Sequence, residues 1–162
     1  MERFTHLDEE GQAHMVDVSK KVSSRRMARA MGFVEMSANV LDLIRDGKIA
    51  KGNPLEVARL GGIMAAKKTA ELIPLCHPLI LDFIDVQCRP SEKGIDIEST
   101  VVAEGRTGVE MEALTAVSVA ALALYDMCKS ADRSMTISQI RLVEKTGGQS
   151  GHFMNLPEEP KY

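Results

Sequence analysis

The sequence has 162 residues, of which 44% are hydrophobic and 27% charged, and its formal net charge is −3. A chain of this length and composition fits one globular domain, residues 1–162, and its ordinary globular balance does not indicate an intrinsically disordered protein. The negative charge provides no general basic field for nucleic acid or anionic lipid, and four Phe, two Tyr and no Trp are too few to stack single-stranded bases.

Three features predict a cytoplasmic protein that does not enter a membrane. Cys76, Cys88 and Cys128 form no CxxC pair, and an odd count is typical of reduced thiols. The polar start MERFTHLDEEGQ lacks the apolar segment of a secretory signal. The most apolar stretch, residues 113–125, would span only about 20 Å as a helix, against ~30 Å of hydrocarbon, which indicates a core helix.

Hydrophobic periodicity divides the chain into alternating elements. In chain order these are a short strand at 13–19, a strand at 25–36, helices at 38–46 and 53–72, strands at 79–89 and 94–104, a helix at 107–128 and a strand at 134–143. Ser37 and Asn53 are predicted N-caps, and Thr107 with Glu110 is a predicted capping box. The ends, residues 1–13 and 152–162, and the glycine-rich segment KTGGQSG are expected to be flexible.

The order strand, two helices, two strands, helix, strand is a split βαβ pattern. It predicts an α+β, ferredoxin-like fold, in which an antiparallel sheet carries its helices on one face. Something must cover the other face. If the strands are apolar on both faces, a second subunit would cover it, so we expect an oligomer.

The segment Pro74-Leu75-Cys76-His77-Pro78 is the first candidate for a binding site. Two prolines four residues apart hold the intervening backbone stiff, and a rigid frame binds a ring with little entropy loss. His77 can donate or accept a proton near neutral pH. The alternative is a helix stop followed by a strand start, with His77 merely hydrogen-bonded.

Basic residues near helix and strand ends are candidates for phosphate contacts. Lys51 precedes the N-terminus of a predicted helix, whose N–H groups favour phosphate, although no complete P-loop is present. Arg26 could add a contact, on the strand face opposite to Arg25 and Arg29. The alternatives are a solvated loop lysine and an edge strand protected by charge.

Asp126 and Lys129 lie three residues apart near the end of the long helix, so their charged groups can touch. This spacing fits an acid/base pair, and equally fits a surface ion pair of little energetic value. Glu112 lies on nearly the same helix face as Asp126, but 14 residues of helix separate them by about 21 Å. If both serve active sites, either the two ends serve two sites or each site takes one end from each of two subunits.

Four segments resemble the family of molybdenum cofactor biosynthesis protein C, the cyclic pyranopterin monophosphate synthases. They are THLDEEGQAHMVDVSKK, KGNPLEVARLGGIMAAKKTAELIPLCHPL, GRTGVEMEALTAVSVAALALYDMCK and EKTGGQSG, and the resemblance runs from about residue 5 to residue 151. It implies a ferredoxin-like hexamer, a trimer of dimers with active sites at subunit interfaces. It also implies a lyase that converts the nucleotide 3′,8-cyclo-7,8-dihydro-GTP to cyclic pyranopterin monophosphate and releases pyrophosphate.

The resemblance also implies roles for individual residues. Asp126 would be the general acid/base, Lys129 its partner and a second proton-transfer group, and Lys51 the lysine that meets the substrate. The residues implied to bind substrate are Leu75, Cys76 and His77 along the base or pterin, Met111 and Glu112 as a second binding pair, and Arg26, Lys67 and Lys145 at the triphosphate.

The expected chemistry needs proton transfer and not an electron carrier. The sequence carries no cofactor fingerprint and no dedicated metal site, although a magnesium ion can accompany the substrate triphosphate. The main alternative is a non-catalytic nucleotide-binding regulatory module of ferredoxin-like fold, in which the basic residues would matter and Asp126 would not. A structural scaffold, which would gain no thermal stability from nucleotide, is the third hypothesis.

Overall fold

The computed structural model describes residues 10–148 and 151–155, and in these it has five strands and four helices. They are β1 (Ser24–Glu35), α1 (Ala38–Arg45), α2 (Pro54–Ala66), α3 (Thr69–Leu72), β2 (Phe83–Pro90), β3 (Gly94–Gly105), α4 (Glu110–Cys128), β4 (Thr136–Thr146) and β5 (Phe153–Met154). The strands form one antiparallel sheet in the order β2-β3-β1-β4-β5. The predicted α+β, ferredoxin-like fold is confirmed.

The core lies between the sheet and α4, which packs on β1, β3 and β4. At the centre of this face of β1 the inward residues are small, because α4 approaches closely. Ala28 and Ala30 are fully buried, and a Cβ at Gly32 would lie 2.6 Å from Val117 Cγ1. By length and composition α4 could cross a membrane, but 56% of its most apolar window is buried inside the molecule. It is the core helix that the sequence predicts, and it extends beyond the apolar stretch at residues 113–125 in both directions.

Two adjacent glycines in α2 provide a matched test of this packing. A Cβ at Gly62 would lie 2.8 Å from the Ala116 carbonyl oxygen of α4 and 3.2 Å from Val86, whereas a Cβ at Gly61 would meet the Ala123 Cβ at 3.4 Å. We expect Gly62→Ala to lower the free energy of unfolding by about 1–3 kcal/mol. Gly61→Ala should instead raise it by up to about 1 kcal/mol, because alanine favours helix. Urea denaturation of both variants measures this, and equal effects would contradict it.

The sheet face opposite the helices is not uniformly apolar. Arg29 crosses its centre, with its guanidinium 2.6 Å from Glu98 Oε1 and 3.1 Å from Glu144 Oε2. Met31 and Phe33 lie further along the same face of β1. The apolarity argument for a second subunit on this face therefore does not hold, and the oligomer stays a prediction.

Several predicted boundaries need correction because tertiary contacts outweigh local pattern. Residues 13–19 form no strand, only a single bridge at Ala13. The helix predicted to reach residue 72 breaks at Lys67, where the buried Thr69 hydroxyl donates to the Ala66 carbonyl oxygen. The predicted capping box does not form. Val109 is the N-cap and no side chain caps α4.

Strands β2 and β4 also begin later than predicted. β2 starts at residue 83 and not 79, after the proline-framed segment, and Asp82 ties its start to β3 by accepting a hydrogen bond from the Glu104 backbone N–H. β4 starts at residue 136 because Asp132 accepts from the backbone and hydroxyl of Ser134 in a turn. β5 lies in the region expected to be flexible, and the predictions for residues 1–9, 149–150 and 156–162 fall outside the described residues.

Candidate active site

A lysine–aspartate–lysine cluster occupies the C-terminal end of α4. Asp126 Oδ1 lies 2.7 Å from Lys129 Nζ, one turn further on, and Oδ2 lies 2.8 Å from Lys51 Nζ. Lys51 Nζ also donates to the Asp126 carbonyl oxygen at 2.8 Å. Lys51 comes from the loop before α2, where Gly52 adopts a φ of +103° that other residues rarely reach, and Asn53 then caps the helix. The structure thus brings all three predicted catalytic residues together.

The two ammonium groups determine the charge of Asp126. Hydrogen bonds from Lys129 and Lys51 lower the pKa of the Asp126 carboxyl to about 2. The group is therefore a carboxylate at neutral pH and has no proton to give. It can hold two lysine ammonium groups within reach of a ligand, and these groups do carry protons.

A second group of predicted residues surrounds a cavity of about 430 Å³ at the other end of α4. Leu75, Cys76 and His77 form one wall, and Met111 and Glu112, from the first turn of α4, form another. The Cys76 backbone N–H donates to the Ile73 carbonyl oxygen at 3.1 Å, which helps fix the loop between the two prolines.

Glu112 is the most unusual side chain in this cavity. It is 3% exposed, and its Oε2 atom is the one buried side-chain oxygen or nitrogen that makes no hydrogen bond within the described residues. Burial raises the pKa of the Glu112 carboxyl, and burial together with Glu112 raises the pKa of the Cys76 thiol. A buried oxygen without a hydrogen-bond partner destabilises the folded protein, so this atom is suited to accept a hydrogen bond from an N–H group of a ligand.

A larger cavity of about 920 Å³, the cationic cavity, adjoins the cavity of about 430 Å³ (the second cavity) and is lined by cations. Arg26 and Lys145 lie in its wall, as the resemblance implies for triphosphate contacts. Arg26 Nε donates to the Gly105 carbonyl oxygen at 3.3 Å. Lys67 lies elsewhere, in a small third cavity of about 120 Å³ that Glu112 also lines, and so is not brought together with the other two.

Residues 16–23 form a wall that sequence reasoning missed. Val16 and Val18 line the second cavity, Lys20 lines the cationic cavity, and Lys21 lines both. Asp17 bends this segment by accepting a hydrogen bond from the Ser19 backbone N–H at 2.8 Å. The alternation of VDVSKK suggested a strand. The sequence signal that could have indicated this wall is the pair Lys20 and Lys21, which directly follows the turn-forming Asp17-Val18-Ser19. Arg106, on the loop before α4, was missed as well.

The predicted site residues therefore form two groups, one at each end of a single helix. Lys51, Asp126 and Lys129 lie at its C-terminal end, and the second cavity lies at its N-terminal end. The helical rise separates residues 112 and 126 by about 21 Å along the axis. One protomer does not bring the two groups around one compact ligand.

The raised pKa of the Cys76 thiol leads to a prediction about its reactivity. Since the thiolate is the nucleophile, we expect Cys76 to react with iodoacetamide at pH 8 more slowly than an unhindered cysteine. Glu112→Gln should speed the reaction, because one of the two causes is removed and the thiolate forms at lower pH. Site-resolved mass spectrometry over pH 7–10 measures this. Cys88 and Cys128, whose pKa values burial raises to about 11, are internal controls that the substitution should leave unchanged.

Comparison with known proteins gives concordant matches over almost the whole chain. Residues 15–148 match the model of the MoaC family. The cyclic pyranopterin monophosphate synthase of Pelotomaculum thermopropionicum is 58% identical over 161 residues, which cover 98% of this chain and 95% of the relative. The protein of the same name from Heliobacterium modesticaldum is 58% identical (95% of this chain, 98% of the relative), and that from Thermomicrobium roseum is 54% identical (100% and 99%).

Proposed function

Because the chain belongs to the MoaC family, we propose that it is a cyclic pyranopterin monophosphate synthase of molybdenum cofactor biosynthesis. In this proposal it is a lyase that converts 3′,8-cyclo-7,8-dihydro-GTP to cyclic pyranopterin monophosphate and releases pyrophosphate. The observation that carries the proposal is the near-full-length identity of 54–58% to proteins of that name. The geometry of the cavities supports it independently.

Each part of the substrate has a chemically matched group of residues. The triphosphate fits the cationic cavity with Arg26 and Lys145, whose charges would neutralise departing pyrophosphate. The base fits the neighbouring cavity, where the unpaired Oε2 of Glu112 would accept a guanidine-like N–H. Lys67, whose cavity also reaches Glu112, is a further contact in this arrangement.

The chemical steps call for proton transfer and charge neutralisation. Opening and rebuilding the ring system moves protons between ring atoms, and Lys51 and Lys129 are the proton carriers, with the Asp126 carboxylate orienting both. In the closing step the α-phosphorus forms an ester bond to a substrate hydroxyl oxygen and breaks its bond to pyrophosphate. The hydroxyl proton passes to the neutral amine of Lys51 or Lys129, once that lysine has given its own proton to the ring system. The low pKa of Asp126 favours a role as carboxylate and not as acid.

The two separated residue groups support a shared active site. We propose a homohexamer, a trimer of dimers, in which the N-terminal end of α4 from one subunit and the C-terminal end from its neighbour face the same ligand. No resident cofactor is needed, and any magnesium ion would arrive on the triphosphate. The proposed partners are the nucleotide and other copies of the chain, with no nucleic acid or membrane, and the proposed location is the cytoplasm.

The direct test is to supply the purified protein with 3′,8-cyclo-7,8-dihydro-GTP and to follow pyrophosphate and the pyranopterin product. Equal release of both supports the enzyme. Saturable binding without turnover would favour the regulatory module instead, in which the basic residues would matter and Asp126 would not.

A further inference from the structure

We propose that Glu110 competes with the bound anion for Lys145 and thereby weakens the retention of pyrophosphate. In the free protein the Glu110 carboxylate pairs with Lys145; when phosphate oxygens enter the large cavity, Lys145 turns to them and Glu110 is released. After pyrophosphate forms, the carboxylate recaptures Lys145 and promotes departure. The inference rests on the proposed function only for the identity of the anion.

The ion pair has the geometry of an exchangeable contact. Lys145 Nζ lies 3.0 Å from Glu110 Oε1, and both side chains are only about a quarter exposed, at 24% and 27%. Partial burial makes such a pair stronger than a fully exposed one. The partners come from β4 and α4, so neither helical spacing nor strand pairing forces them together.

Glu110 lies at the border of the two cavities and lines both. Its carboxylate folds over Gly108, where an added Cβ would overlap Glu110 Oε2 at 1.8 Å. The glycine leaves room for the carboxylate beside the cavity. Glu110 is also the first residue of α4, where the positive end of the helix dipole favours a carboxylate whether or not Lys145 is bound to it. Releasing Lys145 therefore does not leave an unsupported charge.

A carboxylate in a cavity lined mainly by cations lowers the affinity of that cavity for anions. The cationic cavity is lined by five cationic side chains but only two anionic ones, Asp17 and Glu110. Asp17 is bound to its own turn through Ser19, whereas Glu110 binds a cation of the cavity. Glu110 is therefore the acidic residue whose removal should strengthen binding directly.

The test measures inorganic pyrophosphate binding by calorimetry, without turnover. We expect Glu110→Gln to bind pyrophosphate about tenfold more tightly than the wild type, as the loss of one close competing charge predicts. In steady-state turnover the same variant should show stronger product inhibition by pyrophosphate. Glu92→Gln removes an equal charge from the exposed β2–β3 turn and should change affinity by less than about twofold. Equal or weaker binding by Glu110→Gln, or no binding by either protein, would overturn the proposal.

A double-substitution cycle tests the exchange itself. In a Lys145→Met background, Glu110→Gln should gain less than about twofold, because no lysine remains to be released. A full tenfold gain there would mean that Glu110 acts through the general field, and the proposal would fall. Circular dichroism and melting temperature verify folding, and Glu110→Ala should repeat the direction of the effect. These binding arms remain decisive if the protein makes no product, so failure of the proposed function is seen separately.

Discussion

Replacing Asp126 with asparagine is expected to lower turnover by ~10²–10⁴-fold, because the carboxylate positions Lys51 and Lys129 and a positioned proton-transfer group usually contributes that much. The carboxylate holds Lys129 Nζ at 2.7 Å and Lys51 Nζ at 2.8 Å. Asparagine has nearly the same shape but no charge, so the two ammonium groups would repel each other and lose their common anchor. Affinity for the nucleotide should change much less than kcat. Single-turnover rates and equilibrium binding of the same variant separate the two quantities.

Asp42→Asn is the matched control for this substitution. Asp42 also pairs with a cation three residues on, at 2.8 Å to Arg45, and is similarly exposed, but it lies on α1. We expect its turnover to equal the wild type. Melting temperatures at pH 7 should be nearly unchanged for both variants, because exposed ion pairs contribute little. Undiminished turnover in Asp126→Asn would refute the catalytic assignment.

The lowered pKa of Asp126 also fixes the sign of its pH dependence. A depressed folded-state pKa means that any stabilising effect is present above the ordinary value of 3.8 and is lost as pH falls toward about 2. Titration of Asp126 therefore lies far below neutrality. If activity changes between pH 6 and pH 9, another group of the site must be titrating.

Local signals in the sequence were sufficient for the framework of the fold. The period of two in β1 and the Asn53 cap both appear as predicted, and Asn53 Oδ1 accepts from the backbone N–H groups of Leu55 and Glu56 at 3.1 and 3.3 Å. These features depend on neighbours within a few residues. The capping box at Thr107 and Glu110 failed because Glu110 found a partner 35 positions away in Lys145, which no local rule could reveal.

Some parts of the site could be predicted from the sequence and others could not. The contact of Asp126 with Lys129 follows from helical spacing, whereas the contact with Lys51, 75 positions earlier, was not predicted, since the family resemblance implied only that both residues act on the substrate. The unpaired oxygen of Glu112 could not be foreseen, because burial of a first-turn carboxylate depends on how the proline-framed loop packs over it. The separation of Glu112 from Asp126 did follow from the helical rise alone.

Mixing two inactive variants is expected to restore activity if the two ends of α4 meet a ligand across a subunit interface. Asp126→Asn keeps an intact cavity around Glu112, and Glu112→Gln keeps an intact Lys51–Asp126–Lys129 cluster. Each variant alone should be nearly inactive. In a mixed pair of subunits, one of the two shared sites contains both native residues and the other contains neither.

The size of the recovery identifies the architecture. Random mixing in equal amounts makes half of the pairs mixed, and one site in two is intact within them, so roughly a quarter of wild-type activity should return. Subunits must first be exchanged by mild denaturation and refolding or by co-expression. Mass spectrometry of the assembly verifies that mixed pairs formed.

A control mixture isolates complementation from simple dilution. Asp126→Asn mixed with Lys129→Met damages the same end of α4 in both chains, so no shared site regains a complete cluster. This mixture should stay inactive under the same exchange conditions. Activity in the first mixture only would demonstrate that neighbouring chains share a site. If mixed assemblies form and neither mixture regains activity, the two ends of α4 do not serve one ligand. The 21 Å of helix between them would then indicate two independent sites.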